Sequence, residues 1–154
     1  MKSNSSFEKA VAIIENNSDD CDFVGPISSE MVAKAEKILA LEFPPSYREF
    51  LLRFGAGDCW AEEFYGIIQN PETDKHAIPN AIWATLNARE VGNLPDHVIE
   101  IMSSGFGPIF VIDTSSINDH GENPILLYHF NGKSEVISPS FGDFFYQRII
   151  ISME

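Results

Sequence analysis

Apolar residues recur at helical spacing through the first half of the chain and in short strand-like runs through the second. Phe7, Val11 and Ile14 predict a helix over residues 7–16. Asn16-Asn17-Ser18-Asp19-Asp20 and then Gly25-Pro26 break the chain. Ser28 is placed to cap a second helix with Met31, Ala35 and Ile38 as its stripe and Val32 and Leu39 beside it. Glu30 in its first turn and Lys37 near its end suit the helix dipole. The stretch from Glu36 to Asp58 is the one around which the rest is organised. It turns at Phe43-Pro44-Pro45 and restarts with Ser46 and Glu49 spaced as a capping box. Tyr47, Phe50, Leu51 and Phe54 then share one helical face, and Gly55 follows as a left-handed C-cap, with Gly57 freeing the chain to turn away. So aromatic a helix, so closely bounded, is expected at the centre of the core.

Beyond it, Glu63–Gln69 has strand composition and residues 70–74 read as a turn or loop. Pro79 to Val91 predicts a helix with Ile82, Leu86 and Arg89 on one face and Trp83 next to it. Four β-rich runs follow: His97–Met102, Ile109–Asp113, Ile125–Phe130 and Glu135–Ile137. Gly105, Gly107 and Pro108 separate the first two, Ser115–Asn123 is a polar loop, and Asn131-Gly132 is a hairpin turn. Ser140 and Asp143 open a last helix that turns Phe141, Phe144, Phe145 and Ile149 inward. The fold class expected is α+β: N-terminal helices packed against an antiparallel or mixed β meander, closed by a C-terminal helix, all in one domain over residues 1–154.

Charge narrows the function classes. A net charge of −13 argues against nucleic-acid binding, which needs clustered Lys and Arg. It suits either plain solubility or a basic protein partner. The N-terminus lacks the apolar segment of a signal peptide, and no apolar run is long enough for a membrane span, so a cytoplasmic protein is expected. Cys21 and Cys59 make no disulfide framework and no zinc set, and read as small buried hydrophobes.

Catalytic constellations are missing from the pattern. Glu62 and Glu63 are adjacent, so in a strand they point to opposite faces. His76, His97, His120 and His129 are scattered, without H-E-x-x-H spacing. His120 near Asp113, Asp119 and Glu122 reads as a solvated loop sooner than a metal site, as do Asp19, Asp20 and Asp22. Ser103-Ser104-Gly105 is no nucleophile elbow, and the Gly pairs lack a phosphate-binding pattern. No enzyme, cofactor or metal is expected. Trp60, after a Gly-Asp-Cys loop, either anchors an interface or folds over the core edge. Two acidic groups remain as a candidate surface for a basic partner: Asp58, Glu62 and Glu63 with Trp60, and Asp113, Asp119 and Glu122.

Ala35, Glu36, Leu39, Phe43, Pro44, Tyr47, Arg48, Phe50, Leu51, Gly55 and Gly57 form an ordered series that resembles the SUKH superfamily. Thr85, Arg89, Leu94, Pro95, Val98 and Ile99 continue it, and the closing Ser-Phe-x-x-Phe-Phe helix is similar to that family's end. Members include fungal regulators of cell-wall assembly and bacterial immunity proteins that neutralise polymorphic toxins. The resemblance implies an immunity protein that blocks a cognate toxin domain by stoichiometric binding, and the chain's acidity adds the expectation of a basic partner such as a nuclease domain, bound by a monomer or weak dimer. The alternatives are a non-catalytic regulatory scaffold and a small-ligand-binding protein. The family's shared residues imply scaffold roles for Pro44, Tyr47 and Gly55. Specificity is expected to reside in residues 60–80 and 114–124, where the chain departs from the pattern.

Overall fold

A computed structural model describes residues 2–68 and 80–153, with side chains from Ser5 onward. The expectations for Gln69, the loop 70–74, His76 and a helix start at Pro79 lie outside the described residues. The elements run α1 (Lys2–Asn16), a 3-10 turn (Ser18–Asp20), β1 (Cys21–Phe23), α2 (Ser29–Leu39), α3 (Pro45–Arg53), β2 (Gly57–Cys59) and β3 (Glu62–Phe64). They continue with α4 (Ala81–Gly92), β4 (Val98–Ser103), β5 (Ile109–Asp113), β6 (Ile125–Tyr128), β7 (Ser134–Ser138) and α5 (Phe141–Met153). This is the α+β arrangement the pattern implied. All pairings between these strands are antiparallel, in a small sheet β1-β2-β3 and a meander β4-β5-β6-β7. Tyr65 N–H donates to Ile101 O at 2.8 Å and ties the end of β3 to β4.

Phe50 of α3 is fully buried, with the rings of Phe141 and Phe145 at 5.2 and 5.3 Å and those of Tyr47 and Phe64 at 6.0 and 6.1 Å. Each such aromatic pair is worth about 0.5–1.5 kcal/mol beyond the area it buries. α1 closes the other side of α5, stacking Phe7 on Phe145 at 5.7 Å. The meander's inner face adds Ile99, Ile101, Phe110, Ile112 and Ile125 to this core. Its outer face carries a second cluster, in which Ala88 and Leu94 cover Val98, Ile109, Val111 and Tyr128.

The start of α3 departs from the predicted capping box. Pro44 is the N-cap and Pro45 the first helical residue, which leaves Ser46 inside the helix and fully buried. The cap comes from far along the chain. Glu122 accepts from Ser46 N and from Ser46 Oγ, both at 2.9 Å, and Ser46 Oγ accepts from Gly142 N at 2.9 Å. Glu49 pairs instead with Arg53, one turn on. The caps at Ser28 and at Ser140–Asp143 form as the sequence indicates. Leu86, read on one face with Ile82 and Arg89, is 40% exposed while Ile82 is buried. α4 also buries Ala81, Ala84, Thr85 and Ala88, small residues that let a helix lie close on a strand.

Several of the residues that carried the family resemblance act as internal fasteners. Glu36 accepts from Phe43 N at 2.7 Å and pairs with Arg48, closing the α2–α3 turn. The Tyr47 hydroxyl donates to Tyr65 O at 2.8 Å, and burial holds that phenol neutral far above its ordinary range. Arg89 donates to Leu39 O and Asp96 O, and Thr85 Oγ1 accepts from Glu100 N at 3.0 Å. Gly55 (φ +74°) and Gly66 pack backbone to backbone, because a Cβ on Gly66 would lie 1.8 Å from Gly55 O.

Candidate protein-binding face

β1 and β2 escaped the sequence reading because each is three residues long and sits where turn formers dominate. In β1, Cys21 and Phe23 are half-buried against the core while Asp22 is exposed between them. β2 repeats the pattern with buried Gly57 and Cys59 around Asp58. Gly57 must be glycine, since a Cβ there would lie 2.2 Å from Asp22 O. The register pairs Asp22 with Asp58 and Asp58 with Glu63. Three carboxylates therefore stand side by side across three strands, on the face away from the core. Directly paired residues on one sheet face have Cβ atoms about 4.5–5.5 Å apart, so like charges there repel. Partial burial and the Asp58 charge both push the Glu63 carboxyl above its ordinary range. Among the described residues no cation pairs with any of the three. The row is a line, and no group of three His, Cys, Asp or Glu side chains among the described residues is arranged to hold a metal ion.

The two cysteines were read as separate buried hydrophobes, and the structure corrects this. Cys21 and Cys59 are direct cross-strand partners, with Cα atoms 4.0 Å apart, joined as a disulfide. The pairing was hidden because it needs two strands that the turn-rich sequence around them conceals. Its consequence for the site is mechanical. The bond lies on the inward face and keeps Asp22 opposite Asp58 against their repulsion.

The remaining candidates divide. Glu62 alternates to the other face and accepts from Arg148 Nε at 2.8 Å, fastening β3 to α5. Trp60 and Ala61 form the two-residue β2–β3 turn, both with positive φ (49° and 69°), as a tight hairpin requires. Trp60 is half-buried against the core at the edge of the carboxylate row. Asp113 accepts from Ser115 N and Oγ and lies 3.7 Å from His97 Nε2, while Asp119 is exposed in its loop. Glu122 is fully buried, spent on the α3 cap, and offers no carboxylate to a partner. Burial raises its affinity for a proton, and the Ser46 hydrogen bonds oppose that rise. The two acidic groups do not meet. One follows the C-terminal end of α3 and the other holds its N-terminal end. Asp22 is the member sequence reasoning missed, assigned to an acidic loop although a lone aspartate between Cys and Phe fits an alternating strand.

The model of the SUKH_6 family, described as SMI1-KNR4 cell-wall, matches residues 29–145. The chain belongs to the SUKH superfamily. The matched stretch runs from the start of α2 into α5 and contains the fasteners made by Glu36, Tyr47, Thr85, Arg89 and the Gly55–Gly66 contact. It includes Asp58 and Glu63 but begins after Asp22 and the whole of β1. SUKH membership therefore accounts for the scaffold, which motif side chains such as Tyr47 and Phe50 fill from within. No helix among the described residues is long and apolar enough to cross a membrane.

Proposed function

We propose that this SUKH chain is an immunity protein that neutralises a cognate, basic toxin domain by stoichiometric binding, without catalysis. The observation that carries the reading is the row Asp22, Asp58 and Glu63, set in register by the β1–β2 and β2–β3 pairings and uncompensated among the described residues. Like charges aligned this way cost folding energy, and a basic partner returns that energy on binding. The net charge of −13 steers such a partner toward the chain over longer range. Trp60, beside the row, supplies apolar contact area, and exposed Asp119 contributes long-range field only. A toxin of nuclease type fits well, since its substrate cleft must itself be basic. The proposed setting is a bacterial cytoplasm. Disulfides are rare in that compartment, and with the two cysteines reduced the backbone pairing of β1 with β2 still sets Asp22 opposite Asp58.

The test is co-expression with the C-terminal domain of a large secreted protein encoded beside this chain. Rescue of growth together with a one-to-one complex is the expected result. Toxicity without rescue or binding rejects the immunity reading. The family description itself favours one second reading, a regulatory scaffold of the cell-wall kind. Capture of several endogenous proteins, with no toxin neutralised, would select it.

A further inference from the structure

One further carboxylate, on β4, is unexplained by the acidic row, although Tyr65 lies within range of both its charge and that of Glu63. β4 reads Val98-Ile99-Glu100-Ile101-Met102, and its alternation sends Ile99 and Ile101 into the main core. Glu100 is left on the outer face with Val98, opposite Val111, which in turn pairs with Leu126. An open groove of roughly 620 Å³ lies beside it, lined by Glu100 with Ala88, Val91, Ile109, Phe130 and Asn87. The Glu100 side chain accepts no hydrogen bond and pairs with no cation among the described residues. Phe130 is set firmly in place. Its ring lies edge-on to Tyr128 at 5.5 Å and so close to Gly92 that a Cβ there would meet it at 2.8 Å. Yet Phe130 is 47% and Val91 73% exposed, an apolar rim that no described residue covers.

These features define an occupant. A carboxylate in an apolar wall has lost hydration that only a cation or donors can replace. An aromatic ring in the same groove adds attraction for a cation. The aliphatic walls suit a methylene stem that carries such a head. The uncovered rim calls for a body larger than a free amine, because apolar surface around a desolvated anchor is what a protein interface seals from water. We propose that this groove receives one protruding lysine or arginine side chain of a protein partner, its stem against Val91 and Phe130 and its cationic head at Glu100. The groove shares no lining residue with the carboxylate row, and this inference stands whether or not the partner is a toxin.

The experiment is an NMR titration of the isotope-labelled full chain at low ionic strength with a blocked Ala-Ala-Lys-Ala-Ala peptide. The same peptide with norleucine in place of lysine and n-hexylammonium are titrated in parallel. The lysine peptide is expected to shift the amides of Ala88, Val91, Gly92, Glu100, Ile109 and Phe130 with a dissociation constant of about 1–10 mM. The norleucine peptide, and the lysine peptide on Glu100→Gln, should bind at least about fivefold more weakly. Phe130→Ala should lose binding too, and unchanged spectra away from the groove will show that both variants fold. No shifts at the groove, equal binding of the two peptides, or full binding by Glu100→Gln would overturn the proposal. So would binding of hexylammonium without the peptide, which would make the groove a small-amine site.

Discussion

Glu100 shows how one residue's burial turns into a pH dependence. Burial pushes its carboxyl up to about 7 from an ordinary value of 4.5. The folded chain then holds the proton more tightly than the unfolded chain. The stability this group contributes is thus complete below its ordinary value and is lost as pH rises through about 7. Tyr65, its titrating neighbour, is pushed up to about 12 and stays neutral throughout that window. Glu100→Gln should therefore stabilise the chain by about 1–3 kcal/mol at pH 8, with the gain gone below about pH 4.5. A gain of equal size at both pH values in thermal melts would assign the effect to packing. Asp58 makes the complementary case. Asp58→Asn removes repulsion from both neighbours and should raise stability by about 0.2–1 kcal/mol while weakening capture of a basic partner. Ser46→Ala keeps the backbone bond to Glu122 but removes the hydroxyl donor to Glu122 Oε1 and the acceptor of Gly142 N–H, and should cost about 1–3 kcal/mol in a denaturant melt.

Among the elements, the small sheet β1-β2-β3 depends most on support from outside itself. Three residues per strand give few ladder hydrogen bonds, and Gly57 adds no side chain. The Cys21–Cys59 bond spans a sequence separation of 38 residues, and closing a loop of that size is worth roughly 4 kcal/mol in the chain-entropy account. Reduction, or replacement of both cysteines by serine, should lower the melting temperature and speed hydrogen exchange in β1 and β2 before α3 and α5. Unchanged melting after reduction would mean that packing of Phe23 and Phe64 alone holds the sheet. Backbone contact supplies the other support. Gly66→Ala drives a methyl group into Gly55 O, separates the segment after β3 from the end of α3, and should cost about 3 kcal/mol or more.

For the molecule as a whole, charge decides how a partner arrives and the face decides how it stays. With a basic partner in hand, the association rate should fall steeply with ionic strength. Reversing Asp22, Asp58 and Glu63 to Lys should slow association at least about tenfold in stopped-flow measurements and flatten its salt dependence. The same reversal at exposed Asp119, at the other end of α3, should change little beyond its share of net charge. Equal kinetics for the triple variant and the parent would remove this face from the interface.

Much of the fold was legible in the sequence because its signals are local. Helical spacing placed α1, α2, α3 and α5, turn formers separated β4 to β7, and Tyr47 and Phe50 sit in the core as their stripe implied. Strand alternation likewise separated Glu62 from Glu63, and the structure gives them different neighbours. What escaped depends on partners distant in the chain. Glu122 looked like a loop carboxylate, yet it caps a helix whose second residue lies 76 positions earlier. Asp22 looked solvated and Cys21 solitary until a three-residue strand set them opposite Asp58 and Cys59. Glu100 stood in plain view as a charge inside an apolar run, but only α4 and Phe130 make its surroundings a groove. Periodicity records which way a side chain faces along its own element. Register, long-range caps and shared walls come from contacts between elements, and no local pattern specifies those.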